Sequence, residues 1–96
     1  MLLHELATNA LKHGALSRDE GRVRISWRVA DVEPEPELIL DWVETGGPAA
    51  REPERRGFGS RLIRMGLVGT GGVELRFHMS GFNAEFRAPL SQVQLS

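Results

Sequence analysis

The stretch from Leu2 to Gly14 most constrains what this chain can fold into, because it predicts a single amphipathic helix. At about 100° per residue, its apolar and polar side chains separate onto two faces. The apolar face comprises Leu3, Leu6, Ala7, Ala10 and Leu11, and the polar face comprises Glu5, Thr8, Asn9 and Lys12, with His13 at its edge. Gly14 is expected to close the helix in the left-handed conformation.

Asn9 stands at the centre of this predicted helix, where asparagine is unfavourable. Its side chain is expected to point away from the apolar face. With Glu5 and Lys12 it forms a row of carboxylate, amide and ammonium that could accept a proton, bind a hard cation and contact a phosphate. A solvated helix face is the other interpretation of this row. A zinc-protease helix is excluded, because His-Glu-x-x-His needs histidine where Thr8 stands.

Composition restricts the classes of protein further. Ninety-six residues with 41% hydrophobic content are enough for one small domain. No apolar run approaches the length of a membrane span, so no membrane segment is expected. Cysteine is absent, which excludes disulfide and thiol chemistry and is compatible with the cytoplasm, the expected location. The net charge of −1, with both signs mixed along the chain, argues against nucleic acid as a partner.

Alternating apolar residues predict four strands. The first is a half-buried strand carrying Val23, Ile25, Trp27 and Val29, and a hairpin loop over 31–37 leads to a more apolar, central strand from Leu38 to Val43. The third strand carries Val73, Leu75, Phe77 and Met79, and after a turn from Ser80 to Asn83 the fourth carries Ala84, Phe86 and Ala88 and ends at Pro89. A second helix, capped by Gly59 or Ser60, runs to Leu67 between the two pairs. This order predicts an α+β fold, a mostly antiparallel sheet with helices on one face.

A second motif follows the central strand, Trp42-x-Glu44-x-Gly46-Gly47-Pro48. Taken alone, it is most simply a strand end followed by a glycine turn. In the functional interpretation, Glu44 at the end of a rigid strand accepts a hydrogen bond from the amino group of adenine. Gly46 and Gly47 would then let the backbone approach the flat base.

A third motif, Gly57-Phe58-Gly59-Ser60, precedes the second predicted helix. Neither a Gly-x-Gly-x-x-Gly fingerprint nor a P-loop is present, since position 62 is leucine and no Gly-Lys-Ser/Thr occurs. Backbone N–H groups at a helix N-terminus nevertheless form a site for a phosphate. The loop from Pro48 to Arg56 precedes the motif, and its basic end, which also carries two glutamates, is either a local anion contact or a solvated segment.

Together, the three motifs resemble those of the HWE sensor histidine kinases, which belong to the superfamily with gyrase-like (Bergerat) nucleotide pockets. The segment from His4 to Ser17 resembles the N-box, Trp42-x-Glu44 the Trp-x-Glu signature, and Gly57-Phe58-Gly59 the G2 box. The resemblance implies a two-layer α/β sandwich of the Bergerat type, with residues 1–96 as a single ATP-binding catalytic domain. Such a domain transfers the γ-phosphoryl of ATP to a histidine on a separate dimerisation domain, from which it passes to a response regulator.

The resemblance also implies a role for individual residues. Asn9 would ligate Mg²⁺, Lys12 would contact a phosphate and Glu5 would act as an acid/base or organise water. The nucleotide pocket implied by the resemblance comprises Asn9, Lys12, His13, Glu44, Gly46, Gly47, Arg55, Arg56, Gly57, Phe58, Gly59 and Ser60, with the two arginines on a lid over the phosphates. Many relatives place a threonine where this chain has Ala84. For His4 a packing or orienting role stands beside ligand contact, and His78 is expected to be structural or solvated.

Family members also carry an upstream strand and a histidine-bearing hairpin that this sequence does not show, so an N-terminally truncated domain is expected. We therefore expect no self-phosphorylation, and expect uncovered apolar surface near Leu2 and Leu3 to favour a homodimer. Two other functions stay open. One is a non-catalytic ATP- or ADP-binding regulatory module, and the other is a gyrase- or chaperone-like ATPase in which Glu5 is the base toward water.

Overall fold

The computed structural model describes residues 2–49 and 72–92. This part of the chain forms one helix, α1 (Leu2–His13), and four strands, β1 (Arg22–Ala30), β2 (Glu37–Thr45), β3 (Val73–His78) and β4 (Gly81–Pro89). Short 3-10 turns follow α1 at Ala15–Ser17 and β4 at Leu90–Gln92. The predicted second helix, the motif Gly57-Phe58-Gly59-Ser60 and the arginines Arg55 and Arg56 lie outside the described residues.

The four described strands form one antiparallel sheet in the order β1-β2-β4-β3. The pairing of β1 with β2 confirms the predicted hairpin, and β2 is a central strand, as its apolar sequence predicted. Trp27 pairs with Leu40, and Leu40 pairs with Phe86, so these three side chains lie next to one another on one face. We call this the inner face.

The hydrophobic core lies between α1 and the inner face. Leu6 and Ala10 of α1 are fully buried and cluster with side chains from the two central strands. The buried members from the sheet are Leu38, Leu40, Trp42, Phe82, Ala84, Phe86 and Ala88. Burying a leucine or phenylalanine side chain contributes roughly 1.5–3 kcal/mol, so this cluster is the main stabilising feature of the described residues.

The buried face of α1 differs from the predicted one at two positions. Asn9 is only 8% exposed, whereas Leu11 is 61% exposed, so the prediction that Asn9 points away from the apolar face is wrong. The buried direction is centred near Leu6, and Asn9 lies only about 60° from Leu6 around the helix. The buried face of α1 therefore includes an amide and leaves out a leucine that the hydrophobic pattern predicts to be buried.

Strand β1 has the predicted alternation but not the predicted burial. Its apolar side chains lie on the inner face, yet Ile25, Trp27 and Val29 are 41%, 67% and 55% exposed. The reason is position, because β1 is at the edge of the sheet and the buried side chains of α1 cluster with residues of β2 and β4. Only Val23 is partly buried against the core.

Three local predictions are also wrong. Gly14 is extended, with φ −115°, and not left-handed, although its N–H still donates to the Ala10 carbonyl. Met79 lies in the turn after β3 and is exposed, because that turn comes earlier than predicted. For the same reason Phe82, which was placed in the turn, belongs to β4 and is fully buried. Within the described residues, no helix has the length and apolar character needed to cross a membrane.

Candidate functional site

Glu44 is the most unusual side chain near the end of β2. It lies on the inner face and is 1% exposed, so it is a carboxylate within the core. Its Oε2 accepts a hydrogen bond of 2.8 Å from the indole Nε1 of Trp42, and its Oε1 accepts one of 3.1 Å from the backbone N–H of Ala15. Buried carboxylates need such donors, because removing them from water without compensation is costly.

The segment after β2 packs against the segment after α1. Gly46 has φ +77°, and a Cβ there would lie 2.4 Å from the Glu20 carbonyl oxygen. A Cβ on Gly47 would lie 2.5 Å from the Cα of Ala15. The two glycines thus let the chain approach its own backbone, which is one reason for glycine at both positions. Contact of Gly46, Gly47 or Glu44 with adenine stays a prediction.

Asn9 is the second buried polar residue of the described chain, and its surroundings differ from those of Glu44. The amide nitrogen Nδ2 is buried and has no hydrogen-bond partner among the described residues. Leaving such a donor unsatisfied costs about 1–3 kcal/mol, and native proteins contain few of them. Such an amide needs a partner that the described residues do not supply, such as water, an ion or a ligand.

The other predicted site residues on α1 lie at different depths. Glu5 is half-buried, and Lys12 and His13 are exposed. Along α1, exposure therefore rises from buried Asn9 through half-buried Glu5 to exposed Lys12. His4 and His78 are also exposed, which for His78 agrees with a solvated role.

The structure brings only part of the predicted site together. The hydrogen bond from the Ala15 N–H to Glu44 joins the end of β2 to the segment that directly follows α1, the helix that carries Asn9. The third motif and the two lid arginines lie outside the described residues. Among the residues that are described, no three histidine, aspartate or glutamate side chains come together as a metal site.

Sequence reasoning missed two participants in this site. Trp42 belongs to the predicted strand and to the Trp-x-Glu signature, but its hydrogen bond to Glu44 was not predicted. The spacing could have shown this, since residues i and i+2 of a strand share a face. The amide of Ala15 carries no side-chain signal, and its contact with Glu44 depends on the tertiary packing of the two segments.

Comparison with known proteins relates this chain to histidine kinases. It is 43% identical over 91 residues to a protein of Brucella anthropi named blue-light-activated histidine kinase, with 93% of this chain and 18% of that protein aligned. Proteins of the same name from Brucella ovis and Brucella canis are 36% identical over 93 residues, covering 95% of this chain and 19% of each relative. No family model matches the chain.

These alignments cover nearly all of this chain but only a small part of the relatives. The chain spans about a fifth of the length of the curated relatives it matches. The kinase activity in their names belongs to the whole proteins, so the identities establish a relationship to histidine kinases.

Proposed function

We propose that this chain is the ATP-binding catalytic domain of an HWE-type sensor histidine kinase, with Bergerat architecture. Its relatives are named histidine kinases, and its three motifs resemble the nucleotide pocket of that group. The antiparallel sheet with α1 on one face is compatible with this architecture. The observation that carries the proposal is the buried amide of Asn9.

The buried amide of Asn9 lowers the stability of the fold unless a ligand bonds to it. An alanine at this position would favour the helix by roughly half a kcal/mol and would remove a buried donor that has no partner among residues 2–49 and 72–92. Rotating the amide by 180° would present its oxygen where the unpartnered nitrogen now lies, and amide oxygens are suitable ligands for a hard cation such as Mg²⁺. The residues present therefore fit a magnesium–nucleotide complex.

The remaining assignments follow from where the side chains lie. Lys12, exposed at the end of α1, would contact a phosphate, and half-buried Glu5 would act as an acid/base or organise water. Glu44 would accept a hydrogen bond from the amino group of adenine. Bound Mg·ATP would supply the phosphoryl group, and the domain's contribution would be mostly positioning and neutralisation of charge.

The first test is to replace Asn9 with alanine and to measure nucleotide binding and thermal stability together. Titration calorimetry with ATP, in Mg²⁺ or in a chelator, should show Mg²⁺-dependent binding by the wild type and its loss in the variant. The melting temperature without nucleotide should stay constant or rise, because an unsatisfied donor is removed. Leu11→Ala, a change at an exposed position on the same helix, should alter neither quantity much. Wild-type affinity in Asn9→Ala would exclude Asn9 as the metal ligand.

The second test separates a kinase domain from a binding module. Incubation with radiolabelled ATP should leave this chain unlabelled. His4 and His13 belong to the helix that would line the pocket and cannot reach an in-line position, and His78 lies at the end of β3, far along the chain. Acid-labile label should appear on a separately added histidine-bearing dimerisation domain of the same class. Binding without transfer would indicate a regulatory module, whereas rapid release of inorganic phosphate would indicate an ATPase.

A further inference from the structure

The paired side chains of Trp42 and Glu44 suggest a role for the tryptophan that its place in the core does not explain. They lie two residues apart on β2, are 3% and 1% exposed, and share a hydrogen bond of 2.8 Å. We propose that Trp42 is a positioning residue, whose indole N–H fixes the carboxylate of Glu44 as a hydrogen-bond acceptor for a purine amino group. The purine part of this inference rests on the proposed function.

A purely structural role would not require a tryptophan at position 42. The other large aromatic side chains of the core, Phe82 and Phe86, are fully buried and fill space without a polar group. Tryptophan adds one N–H donor to a large apolar ring, and here that donor points at a buried carboxylate. Phenylalanine in its place would keep most of the packing and take away the donor to Oε2.

The second donor to Glu44 shows why its orientation must be held. The Ala15 N–H belongs to the segment that directly follows α1, so the carboxylate lies near the C-terminal end of that helix. A helix dipole disfavours negative charge at this end. The indole and the amide N–H together compensate this placement, and they link the end of β2 to the helix that carries Asn9.

The chemistry of these two donors determines what Glu44 can recognise. Neither an indole N–H nor a backbone N–H can accept a hydrogen bond, so both oxygens of Glu44 act as acceptors. A group fixed in this way favours the amino group of adenine over the carbonyl oxygen that guanine presents at the same position. Charge-assisted hydrogen bonds predict a preference of about ten- to a hundred-fold.

The link between the two residues can be measured without nucleotide, because the chain contains only two tryptophans. Each gives one indole N–H resonance in a ¹⁵N-correlated NMR spectrum, and Trp27→Phe identifies the resonance of Trp42. Glu44→Gln should shift this resonance, whereas Glu74→Gln, a change to an exposed carboxylate, should leave it in place. An unchanged Trp42 resonance in Glu44→Gln would overturn the proposed bond.

Base selectivity tests the functional half of the inference. The ratio of ATP to GTP affinity should fall from about ten- to a hundred-fold in the wild type to less than about threefold in Trp42→Phe. Trp27→Phe should keep the wild-type ratio, because Trp27 is exposed on β1. If Trp42→Phe does not fold, addition of ATP but not GTP should shift the Trp42 resonance of the wild type, and equal shifts would contradict the proposal.

Failure of this inference can be distinguished from failure of the proposed function. If the wild type prefers ATP and folded Trp42→Phe retains the preference, Trp42 does not position Glu44 for the base, and the proposed function stands. If the wild type binds no ATP, the proposed function and base recognition are both wrong. The effect of Glu44→Gln on the Trp42 resonance would still decide whether the indole holds the carboxylate.

Discussion

The inner face of the sheet has two regions that resemble each other in sequence and differ in their surroundings. Along β2 and β4, alternating apolar side chains such as Leu40 and Phe86 are buried with Leu6 of α1. Along β1, the equally regular alternation of Ile25, Trp27 and Val29 is exposed. The comparison shows that periodicity determines which side chains share a face, whereas the position of the covering helix determines which of them are buried.

The largest expected effect comes from removing an aromatic ring from the covered region. Phe86→Ala should lower the free energy of unfolding by about 3–5 kcal/mol, because it deletes a fully buried side chain and leaves a cavity. Val29→Ala on β1 should change it by less than about 0.5 kcal/mol. Urea unfolding followed by circular dichroism measures both, and similar losses would mean that β1 is covered in solution.

Helix α1 shows the same contrast between a buried leucine and an exposed one. Leu6→Ala should cost about 2–5 kcal/mol, since Leu6 is fully buried in the core. Leu11→Ala should be within about 0.5 kcal/mol of the wild type, because Leu11 is mostly exposed. Thermal unfolding of the two variants tests the observed orientation of α1 directly. A large loss in Leu11→Ala with a small one in Leu6→Ala would support the face that the hydrophobic pattern predicted.

Two glutamates extend the comparison to polar groups. Glu44→Ala should cost about 1–3 kcal/mol for each of the two buried N–H donors, on Trp42 and Ala15, that it leaves unpaired. Glu74→Ala removes an exposed ion pair with Arg76 and should cost about 0–1 kcal/mol. Denaturant unfolding distinguishes these results. Equal costs would show that the carboxylate of Glu44 is reached by water.

The smallest effect on stability is expected on β1, which α1 does not cover. A substitution there should alter self-association of the chain more than its stability. Trp27→Gln should alter the free energy of unfolding by less than about 0.5 kcal/mol, because the ring is 67% exposed. It should weaken self-association if the exposed apolar stripe of β1 contributes to contact between copies. Sedimentation velocity across a range of concentrations measures this, with Met79→Gln, another exposed apolar position, as the control.

Much of the local structure could be predicted from the sequence. The bounds of α1, the β1–β2 hairpin and the central place of β2 follow from hydrophobic period and turn residues, which act over short distances. The burial of Asn9 instead of Leu11 could not be predicted. Two faces of similar width around the helix are compatible with its sequence, and tertiary packing determines which of them is buried. The exposure of β1 depends on which strands α1 covers, and no local pattern specifies that.

The same holds for the candidate site. Features of a single segment could be predicted, whereas contacts between segments distant in sequence could not. Glu44 and Asn9 could be singled out because each is unusual for its element, a carboxylate after apolar strand residues and an amide at a helix centre. The second hydrogen-bond donor to Glu44 could not be assigned, because the Ala15 amide has no side chain to mark it and lies far from Glu44 in sequence. That the Asn9 Nδ2 has no partner in the described part of the chain is visible only in the folded structure.

During synthesis, the order of the elements along the chain delays closure of the core. Leu6 and Leu40 leave the ribosome well before Phe82 and Phe86 of β4, although all four belong to one buried cluster. Until β4 has been made and has paired between β2 and β3, the nascent chain presents an apolar helix face and an unfilled strand edge to the cell. Such intermediates are prone to aggregation. Insertion of β4 is thus the event that buries most of the exposed apolar surface at once.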